Sequence, residues 1–162
     1  MSTSYDLAEV DRFSAGAVGV PGARTFYIQV SSGPTVLSFK CEKAHVDALA
    51  RALSTLLGDL PPVEAPTLPG SLAAPIRAEW SVGSIALGYE APNDRIMVVL
   101  EEFTAADSDE SDDNGQARFA ITREQAKGFA DAGAELVRSG RPTCPVCASP
   151  IDAVGYSCVC FN

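Results

Sequence analysis

Positive charge is scarce in this chain. Twelve lysines and arginines face 21 aspartates and glutamates, giving a net charge of −9. That balance argues against nucleic acid as a partner, because a phosphate backbone is bound by a basic face that releases counterions. There is a single histidine, His45, and it stands beside no serine or cysteine with a carboxylate in the pattern of a catalytic triad. It lies next to the apolar stripe of its helix rather than on it, so a solvated surface position is expected. No run approaches the roughly 18 apolar residues needed to cross a bilayer. The segment Met1-Ser2-Thr3-Ser4-Tyr5-Asp6 lacks the basic start and apolar stretch of a secretion signal. No membrane association and a cytoplasmic location are therefore expected. In a reducing compartment the five cysteines are expected to act as thiolates or metal ligands rather than as disulfides.

What the chain does contain is ordinary globular material. Hydrophobic residues make up 46% and charged residues 20% of its 162 positions, enough for one principal domain with a small appendage. Alternating apolar residues predict strands over 13–18, 25–30 and 35–41. Glycines at 16, 19 and 22 join the first pair, and a turn at Ser31-Ser32-Gly33-Pro34 joins the second. From Lys43 the spacing becomes helical, with Val46, Leu49, Ala50, Leu53, Leu56 and Leu57 on one face and a stop at Gly58. A proline-rich connector covers 59–76. The second half is expected to hold strands over 78–82, 84–89, 95–103 and 117–121 and then a helix capped by Thr122 and Gln125.

A shift of 80 positions lays Phe39 on Phe119, Leu49 on Phe129, Ala50 on Ala130, Ala52 on Ala132 and Leu56 on Leu136. This correspondence predicts an α+β body over 1–140 made of two pseudo-repeated antiparallel β-β-β-α halves, about 10–58 and 77–139, packed as one domain. The halves are expected either to share a sheet or to pack as a pseudo-twofold pair.

The most specific chemistry lies in the tail, 141–162. Cys144, Cys147, Cys158 and Cys160 are spaced C-x2-C-x10-C-x-C. Four thiolates suit a tetrahedral zinc ion at about 2.3 Å per sulfur, and a C-x2-C turn sets two of them on adjacent vertices. The tail has few apolar residues of its own, so a structural metal is the expected source of its order. With four protein ligands no vertex stays open for a catalytic water. The net charge of −2 at such a site must be softened by turn amides or nearby cations, for which Arg138 and Arg141 are candidates. Two disulfides, a redox Cys144–Cys147 pair and a three-cysteine site completed by another group remain alternatives. The redox reading lacks the helix that normally follows such a pair.

Other candidates read more plainly. Cys41 shares a strand face with Leu37 and Phe39 and is expected in the core. The run from Asp107 to Asp113 fails the calcium-loop test, since Asp112 and Arg118 stand where a glycine and a glutamate are required. It is expected to form an acidic hairpin tip. Gly16, Gly19, Gly22 and Arg24 resemble an anion cradle, but no helix start follows to complete it.

The stretch Arg12 to Phe26, the Glu42-Lys43 helix start and the segment Gly140-Arg141-Pro142-Thr143-Cys144-Pro145-Val146-Cys147 resemble the actinobacterial domain-of-unknown-function 3090 family nearly end to end. The resemblance implies a cytoplasmic bacterial protein, often encoded beside a histidine-phosphatase-like protein and a distantly kinase-like one, with no activity to carry over. In that family the tail commonly continues Gly-His-x-Cys. The matching positions here are Gly155, Tyr156, Ser157 and Cys158, so Cys160 is expected to replace the absent histidine as fourth ligand. Two functions follow as expectations. The first is a protein-interaction or adaptor module with a structural zinc site. The second is an enzyme or binding protein that uses Arg24, Glu79 or Glu101 on a phosphorylated small molecule, in a cleft between the halves.

Overall fold

A computed structural model of the chain describes residues 2–20, 22–66, 72–105, 114–139, 144, 146 and 147. Seven strands form one sheet: β1 (Tyr5–Leu7), β2 (Arg12–Val18), β3 (Thr25–Ser32), β4 (Thr35–Cys41), β5 (Ala78–Glu90), β6 (Arg95–Glu102) and β7 (Gln116–Ile121). Among the described residues the α-helices are α1 (Lys43–Gly58) and α2 (Arg123–Arg138). The strand order is β1-β7-β6-β5-β4-β3-β2. Each half runs as an antiparallel three-strand meander followed by a helix, and the sheet continues across a parallel β4–β5 pair. Strands β2, β4, β5 and β7 therefore point one way and β3 and β6 the other. The halves share a sheet by a three-strand displacement along it, and these directions do not fit a twofold axis.

Two expected elements differ from what forms. Segments 78–82 and 84–89 are one strand of 13 residues, with a register shift between Val82 and Ser84. Gly83 permits this. A Cβ there would lie 2.8 Å from the Phe103 Cα, so only glycine lets the strand pass so close while it changes partner from β4 to β6. Strand β6 ends at Glu102, and the Phe103 amide just beyond it still donates to the Ser81 carbonyl at 2.7 Å, one step further in the Val82–Glu102 register. Strand β1 has no counterpart in the sequence reading, because three residues are too few to show a period.

In a flat sheet β2 and β7 would stand about 24 Å apart, five strand spacings. Yet Phe13 on β2 and Phe119 on β7 have ring centroids 5.4 Å apart. The sheet is thus strongly curled around its apolar face, and Tyr5 on β1 likewise meets Phe39 on β4, at 6.3 Å. Helix α2 fills the seam. Phe129 stacks on Phe13 at 4.3 Å, and the Gln125 side-chain amide donates to the Val10 carbonyl at 2.6 Å. The expected capping box is present, with Gln125 N–H donating to Thr122 Oγ1 and Thr122 N–H to Gln125 Oε1. In α1 the corresponding place is taken by His45, whose Nδ1 accepts the Glu42 amide at 3.0 Å. This half-buried histidine is a helix cap rather than a solvated surface group.

The connector adds a strap on the convex side of β2–β4. Ser14, Gln29 and Ser38 form a buried polar row there. The Gln29 side chain clamps one connector residue at both backbone groups: Ala73 N–H donates to Oε1 at 2.7 Å and Nε2 donates to the Ala73 carbonyl at 3.0 Å. Nε2 also donates to Ser38 Oγ at 3.0 Å. Beside it Leu72 sits where a Gly16 Cβ would be, 2.5 Å from its Cγ.

Candidate metal centre and docking face

In the tail, Val146 and Cys147 form a turn after Cys144. Cys144 is buried and Cys147 exposed. The Val146 amide donates to the Cys144 sulfur at 3.4 Å. At a metal-bound C-x2-C turn an amide contact of this kind would offset thiolate charge. Cys158 and Cys160 lie outside the described residues. Among the described residues no group of three or more His, Cys, Asp or Glu side chains stands close enough to hold a metal. Of the two charge-softening candidates, Arg138 pairs with Glu135 at 3.0 Å on the surface of α2, and Arg141 lies outside the described residues.

The groups proposed for small-molecule chemistry each have a local partner. Arg24 lies 5.0 Å over the Phe26 ring and donates to Ser139 Oγ at 3.3 Å and to the Leu136 carbonyl at 3.5 Å. It therefore serves the carbonyl end of α2, where a cation is favoured by the helix dipole. Gly19 and Gly22 take positive φ in the adjoining hairpin. Glu79 accepts the Tyr5 hydroxyl at 2.5 Å, which raises the tyrosine above its ordinary pKa. Glu101 accepts from Ser84 at 2.7 Å. Between the halves, α1 and α2 enclose an open groove of about 670 Å³ with Ala50, Ala130, Ala134 and Val137 on its floor. Its Arg51 is paired with Asp47.

Cys41 is buried, and burial together with the nearby Glu42 charge pushes its thiol up to about 12. It belongs to the core, as its strand face predicts. The acidic run 107–113 falls outside the described residues, but its hairpin base is closed by Glu102 N–H donating to the Gly115 carbonyl at 2.8 Å.

One strongly tied cluster had no signal in the sequence. Arg123 grips Asp94 through Nε at 2.8 Å and Nη2 at 3.0 Å, and reaches the Pro61 carbonyl with Nη1 at 2.7 Å. Tyr89 donates to the same carboxylate at 2.8 Å. Asp94 is in the left-handed region, with φ 49°. The bonds from Arg123 and Tyr89 hold its carboxyl below the usual aspartate range. The cluster pins the β5–β6 turn, the start of α2 and the connector together.

The remaining feature is the outer face of β5–β6–β7. Inward side chains Ile96, Val98 and Leu100 join the core, while Met97 and Val99 point the opposite way and are half-buried. The cross-strand rows on the outside are Ser84–Glu101–Gln116, Ala86–Val99–Arg118, Gly88–Met97–Ala120 and Glu90–Arg95. The centre over β5 and β6 is apolar, with charges at its ends and Arg118 beside Asp6 of β1 at its β7 side. Both helices pack into the core on the other face. Strand β6 is thus apolar on both sides over Ile96-Met97-Val98-Val99-Leu100, the pattern of a strand covered on two faces. Among the described residues no helix covers the second.

The family described as a protein of unknown function, DUF3090, matches residues 5–158. No curated protein and no solved structure matches the chain. No helix among the described residues is long and apolar enough to cross a membrane.

Proposed function

Because the chain belongs to the DUF3090 family of unknown function, which supplies no activity to inherit, we propose from its own residues that it is a protein-interaction module stabilised by a structural zinc ion. The observation that carries this reading is β6, whose Met97 and Val99 form an apolar outer surface that no described helix covers. A strand apolar on both faces is costly to leave against water, at about 25 cal/mol per Å² of apolar area. Contact with a protein surface would remove that cost. The zinc half of the proposal is supported by the Val146 amide bond to the Cys144 sulfur. It assigns Cys144, Cys147, Cys158 and Cys160 as ligands in a knuckle-like tail, with Cys160 in place of the family's histidine. We place the protein in the cytoplasm of an actinobacterium and take its two halves as descendants of one β-β-β-α unit. The recurrence of strand order and direction with a step of three supports that origin.

The test is affinity capture from the native cell with the wild-type chain and a Val99→Glu variant of matched folding. Retention of a discrete protein by wild type, and its loss with Val99→Glu, is expected. An identical retained set for both would remove the module reading.

A further inference from the structure

The charges around this face select one occupant. We propose that a second copy of this chain covers it, in an isologous sheet-on-sheet dimer whose twofold axis lies across the strands between the Val99 and Met97 rows. This rests on the interaction-module reading and names the partner.

The argument is one of self-complementarity. A twofold contact applies the same patch to itself, so each residue must tolerate what the axis places opposite it. On β6, Arg95 stands at one end and Glu101 at the other, with Met97 and Val99 between them. An axis across the strands sets Arg95 of one copy over Glu101 of the partner, and the symmetry repeats the pair at the other end. The same operation brings Val99 to Met97, Ala86 to Gly88, Ser84 to Glu90 and Arg118 to Ala120, so no like charges face each other across these three strands. An axis along β6 instead would stack Glu101 on Glu101 and Arg95 on Arg95. The charge pattern therefore favours the first arrangement over the second. The small outward residues Ala86 and Gly88 of β5 and Ala120 of β7 let the two convex faces come close near the axis. Arg95 is held in place because its Nη1 donates to the Asn93 and Asp94 carbonyls at 3.3 and 3.1 Å.

Size sets the strength. Three strands over six residues give a footprint of about 300 Å², well under the roughly 800 Å² per partner of a stable interface. The dimer is thus weak and reversible, with half-association in the tens of micromolar or above. The net charge of −9 opposes pairing at low ionic strength, so the measurement belongs at about 0.15 M salt, where charges are screened beyond ~8 Å.

Sedimentation velocity of the full chain across a concentration series reads the equilibrium directly. Wild type should move from monomer to dimer, and Val99→Glu should weaken association at least ~10-fold. Arg95→Glu and Glu101→Arg should each weaken it about 5-fold. The double variant Arg95→Glu/Glu101→Arg should return to within about 3-fold of wild type, because the pair is restored with its signs exchanged. A purely structural lesion would not be rescued this way, and thermal melts check that every variant is folded. A monomer at all concentrations, a dimer indifferent to these substitutions, or a double variant no better than the singles would overturn the proposal. If wild type is monomeric yet Val99→Glu loses a different captured protein, the second-copy inference falls while the interaction reading stands. If Val99→Glu changes neither self-association nor capture, both fall.

Discussion

Replacing Gln29 with alanine should detach the connector from the sheet. The buried side chain makes three hydrogen bonds, two to Ala73 and one to Ser38. Each contributes about 1 kcal/mol net, and a polar group left buried without a partner costs about 1–3 kcal/mol. The Ala73 groups can escape that penalty because the strap can lift into water, whereas Ser38, at 2% exposure, cannot move. The expected loss is therefore about 3–5 kcal/mol, a fall in Tm of roughly 6–20 °C for a domain of this size. Urea denaturation gives the stability, and hydrogen exchange at the Ala73 amide reports the strap itself. Gly16→Ala attacks the same strap from the Leu72 side, where the new Cβ would lie 2.5 Å from Cγ. Since either change releases the strap, the two should be clearly less than additive. A Gln29→Ala protein that loses less than about 0.5 kcal/mol and keeps wild-type exchange at Ala73 would refute this reasoning.

Purified protein should contain one zinc per chain, and Cys144→Ser, Cys147→Ser or Cys160→Ser should each lower the metal-to-protein ratio markedly; an unchanged ratio for Cys160→Ser removes it as fourth ligand. Asp94→Asn should flatten the acid limb of the stability profile: the folded carboxyl is held below its ordinary pKa by Arg123 and Tyr89, so its contribution is present at neutral pH and is lost as pH falls through the ordinary aspartate range to the lower folded value. Asparagine tolerates the left-handed backbone there, so denaturation midpoints measured between about pH 3 and 7 isolate the charge. Cys41, with its thiol at about 12, should resist alkylation at about pH 8 in the native protein and react fully in denaturant, as peptide mass mapping would show.

The two helices were readable because their apolar spacing and their first-turn residues agree, as at Thr122 and Gln125. The strands of the first half were readable for a similar reason: Leu37, Phe39 and Cys41 alternate with Val36, Ser38 and Lys40 on the opposite face. Gly83 misled the reading of β5, since a glycine between two apolar runs resembles a turn until the Phe103 backbone is seen lying against it. The Asp94–Arg123 pair joins residues 29 positions apart, and the Gln29 clamp joins residues 44 apart, separations over which neither composition nor periodicity carries information. The outer face of β6 also leaves a mark in the sequence. The unbroken run Ile96 to Leu100 departs from the alternation of its neighbours, which is what a strand with two apolar faces requires.

A sheet that advances three strands at a time without reversing has no geometric reason to end. The slot beside β7 is equivalent to the one beside β4 that β5 fills, and β1 occupies it in the same parallel sense. Only three residues long, β1 is held by Trp80 donating to the Thr3 carbonyl and by the Gln116 amide donating to Ser4. It works as a stopper. Without it the β7 edge would present unmatched amides and carbonyls to the leading strand of a neighbouring molecule, and stacking of that kind propagates into fibres.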